Sequence, residues 1–150
     1  MKALHWLLPA MLLSLAMPLQ AADGLVTVPS PLAPRATMDK LEAVVKERGL
    51  TVFARIDHAA GAAKIGKSLR PTELLIFGNA QGGTPLMECA QTVGIDLPLK
   101  ALVWTDADGR TWVSYNDPVF LAQRHGVPEC PAGGNLRQAL SRLIGAAVAP

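Results

Sequence analysis

Two stretches in the middle of the chain, Leu74-Leu75-Ile76-Phe77 and Ala101-Leu102-Val103-Trp104, are apolar at every position. Successive side chains of a strand point to opposite faces, so a sheet with one wet face alternates apolar and polar residues. Neither run alternates, and both faces of the sheet they form must therefore be apolar at the centre. With one face left to water, Leu75, Phe77, Leu102 and Trp104 are expected to stand exposed together. Covering four such side chains is worth roughly 6–12 kcal/mol, which rivals the whole stability of a small domain. The second face is expected to be covered by inserted helices, by a second subunit or by an apolar ligand. All three remain open at this point.

The segments around these runs read as short strands and helices. Gly24 to Val28 predicts a first strand, stopped by Pro29, Pro31 and Pro34. Thr37 then caps a helix whose Met38, Leu41, Val44 and Val45 recur at helical spacing, and Gly49 ends it. Leu50 to Asp57 predicts a strand and Ala59 to Lys67 a short helix. Pro71 to Asn79 predicts the third strand, and Thr84 with Pro85 opens the next helix, which Gly94 ends. Lys100 to Thr105 and Arg110 to Tyr115 are strands joined by the turn Asp106-Ala107-Asp108-Gly109. Asn116-Asp117-Pro118 caps a short helix ending at His125-Gly126. Asn135 opens the last helix, with its apolar stripe Leu136, Leu140, Leu143, Ile144 and Ala147. This order predicts an α+β fold around an antiparallel sheet of about five strands.

The N-terminus gives an address. Met1-Lys2 is a short basic start, Leu4 to Leu19 is mostly apolar, and Gln20-Ala21-Ala22 follows. That pattern reads as a secretory signal over residues 1–21, leaving residues 22–150 as a single domain. Pro9 and Pro18 interrupt the stretch, which argues against a retained spanning helix. The expected location is periplasmic or secreted, with no stable membrane association after cleavage. In an oxidising compartment Cys89 and Cys130 are expected to form a structural disulfide, two unpaired thiols being the alternative. Two cysteines cannot build a zinc ribbon. The 14 Lys+Arg against 12 Asp+Glu show no basic stripe interleaved with aromatics, so no nucleic-acid partner is expected.

Polar residues gather at the predicted strand ends. Asp57-His58 closes one strand and Glu73 opens the next, a set able to do acid–base work or hold a metal. The competing reading makes Asp57 the cap of the helix that follows. His125 fits the C-terminal end of a helix, where a cationic imidazole is favoured; a joint metal site of His58, His125 and a carboxylate is the alternative. Gln81-Gly82-Gly83-Thr84-Pro85 lacks the lysine of a phosphate-binding loop.

Several longer runs are distinctive: Asp57 to Gly61, Arg70 to Asn79, Gly83 to Met87, Gly94 to Trp104 and Trp112 to Pro118. Together they resemble the family called domain of unknown function 302, over nearly all of the chain beyond the leader. The resemblance implies a TATA-binding-protein-like α+β fold, a curved antiparallel sheet with helices, and a homodimer. It implies no activity, no cofactor and no DNA binding. Cys89 lies outside the family motif, and the stretch around Cys130 departs from the usual short connection.

The leading functional expectation is an exported, dimeric, non-enzymatic binding protein. Its cleft lies near Asp57, His58, Glu73, Asn79, Thr84, Asp96, Tyr115 and Asp117 and takes a small molecule or a haem-like or metal ligand. A hydrolase or isomerase centred on Asp57, His58 and Glu73 is the competing reading. A structural protein that uses its apolar face only for self-association is the third.

Overall fold

A computed structural model describes residues 23–150 of the chain; the expected secretory signal lies outside them. The elements are β1 (Leu25–Ser30), α1 (Pro34–Glu47), β2 (Thr51–Asp57), α2 (His58–Lys64) and β3 (Thr72–Gly78). There follow α3 (Ala80–Cys89), a 3-10 helix (Gln91–Ile95), β4 (Leu99–Thr105), β5 (Thr111–Asn116), α4 (Pro118–Arg124) and α5 (Pro131–Val148). The strands form one sheet in the order β1-β5-β4-β3-β2, and every pair is antiparallel. The fold is the α+β arrangement expected from the sequence.

Three helices begin earlier than their sequence signals suggest. Proline supplies the reason for two: Pro34 and Pro131 each occupy a first-turn position, where the missing N–H is no loss and φ is already helical. Thr37, expected as a cap, is buried inside α1, with its hydroxyl donating to the Ala33 carbonyl at 3.0 Å. In α3 the cap is Asn79, whose Oδ1 accepts from the Gly82 N–H at 2.8 Å, so Thr84 and Pro85 fall within the helix. β1 runs through Pro29 to Ser30 because it is an edge strand, where a residue without an N–H is tolerated.

The register corrects the assignment of faces. Residues directly opposite in an antiparallel ladder share a face. Leu75 stands opposite Ala101, which stands opposite Tyr115. Leu74 stands opposite Leu102, and Trp104 opposite Trp112. Leu75 and Phe77 therefore lie on the other face from Leu102 and Trp104, and the four are not exposed together. Leu75 and Phe77 are fully buried under α1 and α5, in a core with Met38, Leu41, Val45, Leu140 and Ile144.

The opposite face carries Ile56, Leu74, Ile76, Leu102, Trp104 and Trp112, none of them fully buried, with Ile56 39% exposed. Trp104 and Trp112 stack with ring centroids 6.3 Å apart, and the Trp104 indole N–H donates to Ser114 Oγ at 2.8 Å. This face also carries Thr27, Thr72, Lys100 and Ser114, so its large apolar side chains stand among polar ones, and only the other face is packed against α1 and α5.

A second, smaller cluster of Leu86, Val93, Ala122, Cys130 and Ala132 joins α3, the 3-10 helix, α4 and α5. The Cys89–Cys130 disulfide lies beside it. At Gly133, a Cβ would stand 3.3 Å from Ala122 Cβ and 3.4 Å from the Pro118 carbonyl oxygen, so the bare α-carbon lets α4 and α5 approach closely.

Candidate functional site

A cleft of about 720 Å³ opens at the end of the sheet where β3 finishes and β4 starts. Phe77 and Leu99, partners across that end of the sheet, line it together with Leu136, Leu140 and Leu143 of α5. The opening turns of α3 and the segment Leu97-Pro98 line it further. Arg48 and Leu50, from the link between α1 and β2, complete it with Phe53. The register between β2 and β3 slips at this point: Val52 pairs with Phe77 and Ala54 with Ile76, leaving Phe53 as an extra residue. Such a bulge re-aims a side chain, and Phe53 joins the cleft lining while remaining 57% exposed.

Among the described lining residues Arg48 is the only ionisable one; no Asp, Glu, His, Lys or Cys lines the cleft. The polar side chains are those of Asn79, Gln81 and Thr84, set into apolar walls. At Gly82, an added Cβ would stand 3.2 Å from Asn79 Oδ1 and 3.4 Å from Leu136 Cδ2, so the glycine lets α3 close against α5.

Of the eight residues anticipated as ligand contacts, Asn79 and Thr84 line this cleft. Asp96 sits beside its wall. His125, the C-cap of α4, holds Nε2 at 2.7 Å from Asp96 Oδ2. His125 Nδ1 stands 2.9 Å from Thr92 Oγ1, and Arg124 reaches Asp96 Oδ1 at 3.2 Å. Lys100 Nζ donates to the carbonyls of Asp96 and Pro98, at 2.7 and 2.9 Å. These contacts brace the Leu97-Pro98 wall from behind.

Tyr115 is buried beneath α5, where its hydroxyl meets Ser141 and burial raises its pKa. Asp117 caps α4 and holds Arg137 through a two-pronged ion pair of 2.8 and 2.5 Å. Burial pushes the Asp117 carboxyl up, but Arg137 and the Val119 and Phe120 N–H groups outweigh it and hold the group below its ordinary value.

The remaining three residues occupy the far end of the sheet, roughly 20 Å away along a seven-residue strand. Asp57 and Glu73 do converge there as paired residues, but each carboxylate has a structural task. Asp57 Oδ1 accepts from the Ala60 N–H at 2.8 Å, the capping role weighed for it. Glu73 forms a two-pronged pair with Arg55, which also reaches Asp39 at 2.7 Å and Glu42 at 3.0 Å. His58 is an exposed first residue of α2. His58 and His125 stand at opposite ends of the sheet and form no joint site. Among the described residues no group of three His, Cys, Asp or Glu side chains is placed to hold a metal ion.

Sheet, covering helices and cleft define a small α+β domain with a one-sided helical layer and an apolar pocket at one end. The chain belongs to the family described as Domain of unknown function DUF302, whose model matches residues 26–145. The crystal structure of an uncharacterized conserved DUF302 protein from Bacillus stearothermophilus shares this fold. It has a TM-score of 0.76 and 20% identity, over 84% of this chain and 99% of that one.

The chain is also 50% identical over 105 residues to "Fluoride-specific ion channel FluC 1" of Brucella suis biovar 1, covering 70% of this chain and 41% of that protein. "Fluoride-specific ion channel FluC 2" of Brucella melitensis biotype 1 is likewise 50% identical over 105 residues, with 39% of its length covered. The chain thus spans about two fifths of the curated relatives it matches.

Proposed function

We propose that this chain is an exported, dimeric protein that binds a small apolar molecule in the cleft at the end of its sheet. The cleft itself carries the reading: its volume falls within the range of about 300–1,000 Å³ typical of ligand sites, and apolar walls with few polar groups are their usual composition. The absence of His and Cys among the described lining residues favours an organic ligand over a metal or haem-like one. The engagement of Asp57 and Glu73 in a cap and an ion pair weighs against the hydrolase or isomerase alternative.

Dimerisation is supported by the partly exposed apolar side chains of the second sheet face, among them Leu102, Trp104 and Trp112, which a second copy covers in this reading. Export is supported by the signal-like N-terminal segment and by the disulfide. The fluoride-channel name belongs to proteins more than twice the length of the matched part. Among the described residues no helix is long and apolar enough to cross a membrane. The binding role rests on the cleft and takes nothing from that name.

The test is fluorescence of an uncharged apolar probe, N-phenyl-1-naphthylamine. Saturable loading of one probe per chain is expected, and Ala139→Glu, an exposed α5 position at the cleft, should weaken it at least about tenfold by placing a charge against apolar walls. A wild-type protein that loads no probe would contradict the reading.

A further inference from the structure

We propose that the ligand is a monoanionic amphiphile, an apolar body ending in a carboxylate, with its head group held by Arg48. This rests on the cleft being a binding site and adds the chemistry of what it takes. Arg48 is the C-cap of α1 and stands at the cleft, the single charge among the described lining residues. Its side chain makes one hydrogen bond, from Nη2 to the Arg142 carbonyl at a long 3.3 Å. No carboxylate lies within ion-pair distance of it among the described residues, as is also true of Arg70 and Arg142, whereas Arg55, Arg110 and Arg137 each pair with at least one.

A guanidinium has five N–H donors in a planar fork that matches a carboxylate. Arg48 therefore keeps most of its donors uncommitted beside walls that offer a ligand no other charge. Its place at the end of α1 gives it a favourable interaction with the helix dipole, which uses the charge and leaves the remaining donors free. Glu47, the adjacent acid, is exposed and does not line the cleft.

One cation matches one negative charge, and because Arg48 is exposed the head group pairs with it at the wet rim while the tail meets the apolar walls. The cleft volume suits a body of roughly ten to twenty carbon atoms. A neutral hydrocarbon would fill the walls but leave the exposed guanidinium to water; an anion without a tail would leave Phe53, Leu97 and Leu136 uncovered.

The experiment uses the folded full-length protein after loading with N-phenyl-1-naphthylamine, whose uptake depends on the apolar cleft alone. Sodium decanoate and 1-decanol, with equal chain lengths, then compete for the cleft at neutral pH. Decanoate should displace the probe at a concentration at least about tenfold lower than decanol, since a hydrogen-bonded ion pair adds to the same apolar contact. Arg48→Gln should still load the probe and lose that preference, and Arg48→Lys should keep part of it. Equal displacement of a loaded probe by both competitors overturns the anion assignment and leaves the apolar binding site standing. A decanoate preference that survives Arg48→Gln also overturns it. A wild-type chain that loads no probe overturns the binding site itself.

Discussion

Cys89 and Cys130 are joined by a disulfide across 41 residues, with their α-carbons 6.2 Å apart. The bond ties the last residue of α3 to the N-cap of α5, two of the elements that line the cleft. In the chain-entropy model a bridge of this span stabilises by about 4 kcal/mol, mainly by restricting the unfolded chain. Urea unfolding with and without reductant should differ by an amount of this order. Cys89→Ser with Cys130→Ser should reproduce the reduced curve.

Arg55 gathers Glu73, Asp39 and Glu42 on the helix-covered side of β2. Its pKa is raised, first by the hydrogen bond to Glu73 and then by those to Asp39 and Glu42, against the opposing effect of burial. Arg55→Met leaves three carboxylates facing one another, and a loss of about 1–3 kcal/mol is expected, discounted for partial exposure. Replacing Glu73 by Met in the same chain should recover part of that loss. A double variant no more stable than the single one would show that the network is not coupled.

Acid should probe the β4–β5 turn. Burial pushes the Asp106 carboxyl up, but the Trp112 indole N–H and the backbone and guanidinium N–H groups of Arg110 outweigh it and hold the group at about 2, against an ordinary 3.8. The unfolded chain takes up this proton first. The contribution is therefore complete above 3.8 and lost as pH falls toward 2. Circular dichroism should show wild-type stability declining through this window with a component that Asp106→Asn lacks. Parallel acid profiles for the two proteins would contradict the assignment.

The two faces of the sheet should respond differently to charge. Leu102 lies on the partly exposed face, and Leu102→Lys should dissociate the proposed dimer in sedimentation equilibrium while the helical signal persists. Leu75 is fully buried under α1 and α5, and Leu75→Lys should unfold the chain. A Leu102→Lys protein that stays dimeric would move the interface elsewhere.

The sequence made the local signals legible and the long-range ones only in part. Asp57 as a cap, Gly49 just beyond α1, the Asp106–Gly109 turn and Asp117 before Pro118 depend on a few neighbouring residues, and each lies where expected. That both faces of the sheet carry large apolar side chains was also readable. Which of Leu74 or Leu75 joins Leu102 was not, because that depends on the pairing of β3 with β4 rather than on either strand alone.

The cleft was the least visible feature. Arg48, Phe53, Met87, Leu97 and Leu136 come from five separate segments, and each reads locally as an ordinary helix, strand or turn residue. Asn79 and Thr84 line the cleft and sit where β3 ends, a place where polar residues often border a pocket. The same rule also selected Asp57, His58 and Glu73, which lie at the opposite end of the sheet from the cleft. Only the bulge at Phe53 shows why its aromatic ring joins the cleft, and a one-residue slip in register leaves no mark on the sequence.

The most direct measurement is a native mass spectrum of the protein isolated from the exported fraction of its own cells. Two chains carrying one small organic molecule each are expected, with the second copy over the Leu102 face and the molecule in the cleft. Two bare chains would contradict ligand binding, and a single bare chain would contradict both the assembly and the binding site.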